Sequence, residues 1–184
     1  EHWMGTDTYG RDVFSRIIYG SRVSLMVGIF AVLMGGLIGT ALGLTAGYSR
    51  SGIENTIMRI VDIFMAFPSL IMGLMVLAVL GSGLDKMIIA IGIMLAPGFV
   101  RLVHGATLGI RENDYVLAAR ALGVSQSRIL RLHILPNLSG EVVVMGSIWI
   151  AVAIRVEASL SFIGLGVSPP TAAWGTMIRD GVQY

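Results

Sequence analysis

Side-chain catalysis needs a nucleophile, a base and a charge stabiliser within reach of one another, and a metal site needs ligands at recurrent spacing. This sequence offers neither pattern. His2, His104 and His133 are scattered along the chain, and there is no cysteine, which excludes thiolate metal sites and disulfides. A phosphate-cradling loop needs Gly-Lys-Ser/Thr, but the only lysine, Lys86, stands between Asp85 and Met87. No metal, cofactor or nucleotide is therefore expected on this chain, and no enzymatic activity of its own. The methionines fall mostly within apolar runs, where they act more often as gap-fillers than as ligands.

What remains is charge placed where the chain otherwise avoids it. Arg155 and Glu157 come just after the uncharged run Val142 to Ile154. At about 1.5 Å per residue, Arg155 stands roughly 20 Å along from Val142, in the far third of a hydrocarbon core about 30 Å thick. Two residues apart on a helix is about 200°, so the pair cannot face one lumen together. Two arrangements are open. One residue lines a solute path while the other pairs with a neighbouring helix, or both snorkel at the outer interface.

The second concentration of charge is the stretch AARALGVSQSRILRLHILPN, Ala118 to Asn137. Tyr115, Ala118, Ala119 and Leu122 recur at the spacing of one helical face. Gly123 suits a left-handed helix C-terminus, Ser125 an N-cap for a second short helix through His133, Pro136 a stop, and Asn137 a cap for the next membrane span. Arg111 to Pro136 thus predicts helix, glycine turn, helix. Its arginines and alanines suit docking on another protein, or an amphipathic hairpin lying on anionic headgroups.

The elements that must hold these residues are set by composition. The 184-residue chain is 55% hydrophobic and 13% charged, against about 25% charged in a soluble domain. An all-α, polytopic membrane protein is expected. Net charge +2 gives no reason to expect nucleic acid. Apolar runs predict spans over 23–48, 63–84, 87–108 and 138–162. Pro68 falls in the first turns of the second, and Pro97 kinks the third. Arg101, in the third, snorkels toward the headgroups. Gly35, Gly39, Gly43 and Gly47 form a stripe every fourth residue along the first span, either a close-packing face or incidental glycine in a glycine-rich chain.

The links between spans read as an external amphipathic segment 1–22, a cytoplasmic link 49–62, an external turn 85–86, a cytoplasmic loop 109–137 and an external segment 163–184. Arginine bias sets this orientation. Arg50, Arg59, Arg101, Arg111, Arg120, Arg128 and Arg131 lie on one side, against Arg11, Arg16, Arg22, Lys86 and Arg179 on the other. Neither end looks like a natural terminus, so the chain reads as part of a longer protein.

The loop resembles the signature of permease subunits in binding-protein-dependent ABC importers: Glu-Ala-Ala, three residues, Gly, nine residues, Ile-x-Leu-Pro. Ala118, Ala119, Gly123, Leu135 and Pro136 fall in register. Leu117 replaces the glutamate and His133 the isoleucine; Asp114 is the nearest substitute for the missing charge. GTDTYGRDVFSRIIYGSRVSL (Gly5 to Leu25) and EASLSFIGLGVSPPTAAWGTMI (Glu157 to Ile178) are similar to segments of the dipeptide, oligopeptide and nickel branch.

The resemblance implies a type I importer permease fold of six spans, of which this chain would hold the second to the fifth. It implies a bacterial or archaeal cytoplasmic membrane. It further implies a homologous second permease, an external solute-binding protein, and two cytoplasmic ATPases that bind ATP and magnesium. The loop, including Asp114, Arg120, Ser125 and Arg128, would sit in a groove on one of those ATPases and be gripped by it. Peptides are the first solute expected and nickel or another small solute the second. An ion-driven carrier or channel using Arg155 and Glu157 is the competing class.

Overall fold

The computed structural model describes residues 2–7, 9–167 and 171–182. Part of each expected external segment lies outside the described residues: Glu1 and Thr8 in the first, Ser168 to Pro170, Gln183 and Tyr184 in the last. The described chain is helical. Its elements are α1 (Val13–Tyr48), α2 (Ser51–Met65), α3 (Ser69–Leu80), α4 (Leu84–Ile110), α5 (Asp114–Ala121), α6 (Gln126–Ile129), a π turn (Leu130–Ile134), α7 (Leu135–Phe162) and α8 (Trp174–Val182).

The first helix starts at Val13, well before the uncharged run from Val23. Asp12 explains the early start: its backbone is extended and its Oδ2 accepts from Ser15 N at 2.8 Å, a side-chain N-cap. At 36 residues α1 is about 54 Å long, more than a hydrocarbon core of about 30 Å requires. Its polar first turns receive α8, where Trp174 Nε1 donates to Ile17 O at 3.1 Å.

The second apolar run is not one helix. Helices α2 and α3 meet at a 94° bend. Pro68 stands just ahead of α3; it lacks an N–H and disfavours helical geometry at Phe67. At 12 residues α3 is about 18 Å long, too short to cross alone. Among the described residues three helices are long and apolar enough to span, or four crossings if the bent pair counts as one. Helix α4 continues through Pro97 to Ile110, taking Arg101 and His104 with it.

Pro136 does not stop its helix either, contrary to the sequence expectation. Gln126 to Phe162 runs through as one 37-residue helical stretch. The π turn just before Pro136 widens the backbone, which accommodates a ring that would otherwise press on the preceding turn. Asn137 is not a cap; its Nδ2 donates to His133 O at 2.6 Å from inside the helix.

Helices α1 and α4 pack along their length, and α7 lies across both. Val27, Ala31, Met87, Ile91, Leu95, Phe99 and Leu160 form the main core. A second core of Val103, Val116, Ala119, Ile129, Ile134 and Leu138 sits beneath the loop.

Candidate functional site

The loop is built as a closed elbow. Helix α5 ends in a Schellman turn: Gly123 N donates to Arg120 O at 3.0 Å and Val124 N to Ala119 O at 3.1 Å. Gly123 has φ +76°, a conformation other residues reach only at a cost of about 1–2 kcal/mol. Ser125 occupies the N-cap of α6 by its backbone, its carbonyl accepting from Arg128 N and Ile129 N, but its side chain makes no capping bond.

Of the stripe Tyr115, Ala118, Ala119 and Leu122, only Ala119 belongs to the buried face of α5. Val116 and Ala119 turn inward; Tyr115, Ala118 and Leu122 turn outward, Leu122 being 84% exposed. Periodicity alone permits either face, and the second core selects Val116 because Ile129, Ile134 and Leu138 lie opposite. Leu117, Arg120, Arg128, Arg131, Leu132, Leu135 and Pro136 are exposed as well. Asp114, also exposed, opens α5, where a carboxylate is favoured by the helix dipole.

Two arginines pin this elbow to the end of α1. Arg111 Nη1 donates to Gly47 O at 2.8 Å, while its Nε donates to Glu112 at 3.0 Å. The Arg120 guanidinium lies over the Tyr48 ring, 5.3 Å from its centroid. The free carbonyls at a helix C-terminus attract cations, so the loop is held where α1 ends.

The glycine stripe of α1 faces α4. A methyl group added at Gly35 would come within 2.7 Å of Gly92 O, at Gly43 within 2.8 Å of Val100 O, and at Gly47 within 2.6 Å of the Thr107 Cβ. At Gly39 it would collide with Phe99 Cβ and reach Ala96 O at 2.8 Å. The backbones touch because these side chains are missing.

Arg155 and Glu157 part company. Arg155 is exposed, whereas Glu157 is completely buried, so the arrangement in which both snorkel does not hold for Glu157. Its Oε2 accepts from Ser24 Oγ at 2.8 Å and its Oε1 from Ser161 Oγ at 2.7 Å, and both serines are also fully buried. Hydroxyls, not a cation, satisfy this carboxyl, and Ser24 ties it across to α1.

Two further polar pairs escaped the sequence reading. Arg101 Nη2 lies 2.6 Å from Asp62 Oδ1, and His104 Nε2 lies 2.8 Å from Glu54 Oε1. They fasten α2 to α4 beside a cavity of about 520 Å³ at the α2–α3 elbow. The signal was spacing. Arg101 and His104 are three apart, and Glu54 and Asp62 eight apart, so each pair shares a helical face.

Residues 39–182 match the family described as "Binding-protein-dependent transport system inner membrane component". The chain is 45% identical, over 97% of its length, to the "Glutathione transport system permease protein GsiD" of Pectobacterium atrosepticum. It is 44% identical, over 100% of its length, to the "Dipeptide transport system permease protein DppC" of Alkalihalophilus pseudofirmus. It spans about 60% of the length of these relatives. Among solved structures it resembles the MetNI methionine ABC transporter in an inward-facing conformation. There the TM-score is 0.74 at 21% identity, covering 92% of this chain and 87% of that one. An amino acid ABC transporter crystallised with histidines gives a TM-score of 0.68 at 21% identity, covering 93% of this chain and 80% of that one. At such identity these two likenesses concern the fold alone.

Proposed function

The chain belongs to the binding-protein-dependent transport system inner membrane components, and from that premise we propose that it is the membrane permease of an ATP-driven importer of short peptides. It is a multi-pass protein of the bacterial inner membrane. The peptide assignment rests on relatives named for dipeptide and glutathione transport. ATP and magnesium belong to two partner ATPases on the cytoplasmic side. A homologous second permease completes the path, and an external binding protein delivers the solute.

One observation carries the mechanism: the exposed elbow α5–Gly123–α6 continues without a break into α7. The Tyr115, Ala118 and Leu122 face, with Arg128 and Arg131 nearby, meets an ATPase. Asp114 adds a carboxylate to that surface where Leu117 has none. When the two ATPases close on ATP, the elbow moves with them. Because the second core joins it to α4 and α7, and Arg111 and Arg120 join it to α1, the bundle tilts as a body. The path opens outward to receive solute, and hydrolysis resets it. Such coupling requires a two-state element that a ligand biases. The glycine stripe keeps α1 and α4 together during that motion, and the Glu157 clamp holds α7 on α1.

Gly123→Pro tests this reading. Proline cannot adopt φ +76° and removes the N–H that closes on Arg120 O. In proteoliposomes holding the whole transporter, the variant complex is expected to assemble but to lose ATP-dependent uptake of a labelled dipeptide. Full uptake and normal solute-stimulated ATP hydrolysis in an assembled variant would refute the coupling role.

A further inference from the structure

Resting on the peptide reading above, we propose that Asp62, Arg101 and the cavity beside them form a recognition site in this subunit itself for the two charged ends of a short peptide. Arg101 sits about 14 Å inside the Ile110 end of α4, within the bundle and not at its tip. Both members of the pair remain accessible, Arg101 being 50% and Asp62 63% exposed by side chain. A pair whose only task was to brace two helices would gain little from such exposure.

The cavity fits the rest of a small solute. Its volume of about 520 Å³ lies within the range of small-molecule sites, roughly 300–1,000 Å³. It exists because the 94° bend carries α3 away from α2 and leaves the elbow open toward α4 and α7. Phe64, Met72, Met94, Met145 and Trp149 supply an apolar lining, and Arg101 is the one charged residue among the described residues that line it. Trp149 reaches its place because Gly98 has no side chain: a methyl group there would lie 2.6 Å from Trp149 Cζ2. Asp62 and Met65 lie three residues apart on α2, hence on one face, and Met65 also lines the cavity.

The chemistry is that of a divided zwitterion. Without solute the carboxylate and guanidinium neutralise one another at 2.6 Å. A peptide with free termini replaces both partners at once. Its carboxylate takes the Arg101 fork and its ammonium takes Asp62, so no charge is left unpaired. A peptide blocked at either end leaves one of the two without a partner, and a lipid chain satisfies neither. Methionine is unbranched and adaptable, so the lining tolerates different peptide side chains while the charges read only the ends.

The test uses the complete transporter with its binding protein in proteoliposomes. Uptake kcat/KM is measured for a free dipeptide, its C-terminal amide and its N-acetyl derivative. Arg101→Gln is expected to reduce the preference for the free dipeptide over the amide by about tenfold. Asp62→Asn is expected to reduce the preference over the N-acetyl form by a similar factor, the loss of one charge-assisted hydrogen bond. Each preference is compared with that of the unaltered transporter, so selectivity of the binding protein cancels. Equal losses for all three peptides would assign the pair to bracing α2 on α4, and unchanged preferences would remove it from recognition; either result overturns the site. Failure of the unaltered transporter to take up any peptide would instead remove the peptide reading on which the site rests.

Discussion

Replacing Glu157 by alanine should destabilise the protein more than most single changes in the bundle. The carboxyl and its two serine partners are completely buried, and each oxygen accepts one hydroxyl, at 2.8 Å from Ser24 and 2.7 Å from Ser161. Alanine removes both acceptors and leaves two buried donors without water. Each such loss costs about 1–3 kcal/mol, so the sum is roughly 2–6 kcal/mol before any cavity forms. Glu157→Gln retains a carbonyl acceptor and an amide group to which a rotated hydroxyl can turn, so it should cost well under half as much. The informative variant is the triple replacement Ser24→Ala, Glu157→Leu, Ser161→Ala. Removing every polar member of a buried set can be nearly neutral, whereas removing one is not. The assay is thermal unfolding of the purified complex in detergent, with the order parent, triple variant, Glu157→Gln and Glu157→Ala from most to least stable, the first two close together. A Glu157→Ala protein as stable as the parent, or a triple variant as unstable as the alanine single, would refute the hydrogen-bond reasoning.

Gly39→Ala should cost about 1–3 kcal/mol by overpacking, since its methyl group would meet Phe99 and the α4 backbone, whereas Gly105→Ala, with nothing within 4 Å, should be neutral or slightly stabilising; the comparison is again a pair of melting temperatures. Acidification should loosen the segment before α1. Partial burial pushes Asp7 up, but hydrogen bonds from Arg11 and Tyr9 and the Arg11 charge outweigh it. The Ser15 hydroxyl and N–H hold Asp12 down. Carboxyls lowered on folding contribute above their ordinary value, 3.8, and lose that contribution as pH falls through the folded value. Amide protection over residues 2–7 and 9–16, compared with that of α4 at the same pH, should therefore be constant near neutrality and fall only below about pH 4.

The features legible in the sequence were those a single helix determines for itself. A glycine every fourth residue marks a stripe whatever lies opposite, and Gly123 after an alanine-rich turn marks a left-handed cap. Which face of α5 is buried was not legible, because Tyr115–Leu122 and Val116–Ala119 are both helical stripes and only the position of Ile129, Ile134 and Leu138 chooses between them. Pro136 misled for a different reason. Ile129 and Ile134 are five apart and both fully buried, a spacing that a regular helix sends to different sides and a π turn brings back to one. The pairing of Arg101 depends on a partner 39 residues away, Asp62: spacing shows that Arg101 and His104 share a face, but not which face of α2 lies opposite. Glu157 was flagged as costly, but its distance from Ser24, 133 residues along the chain, hid the group that satisfies it.

The uninterrupted passage from Gln126 to Phe162 has a mechanical corollary. A stiff rod of 37 residues, about 55 Å, pivots about wherever its middle is gripped, and its two tips then swing in opposite senses. Displacing one tip by a few ångströms would displace the other by a similar amount, and the hydrogen bonds of Glu157 with Ser24 and Ser161, near the Phe162 tip, would bear that load.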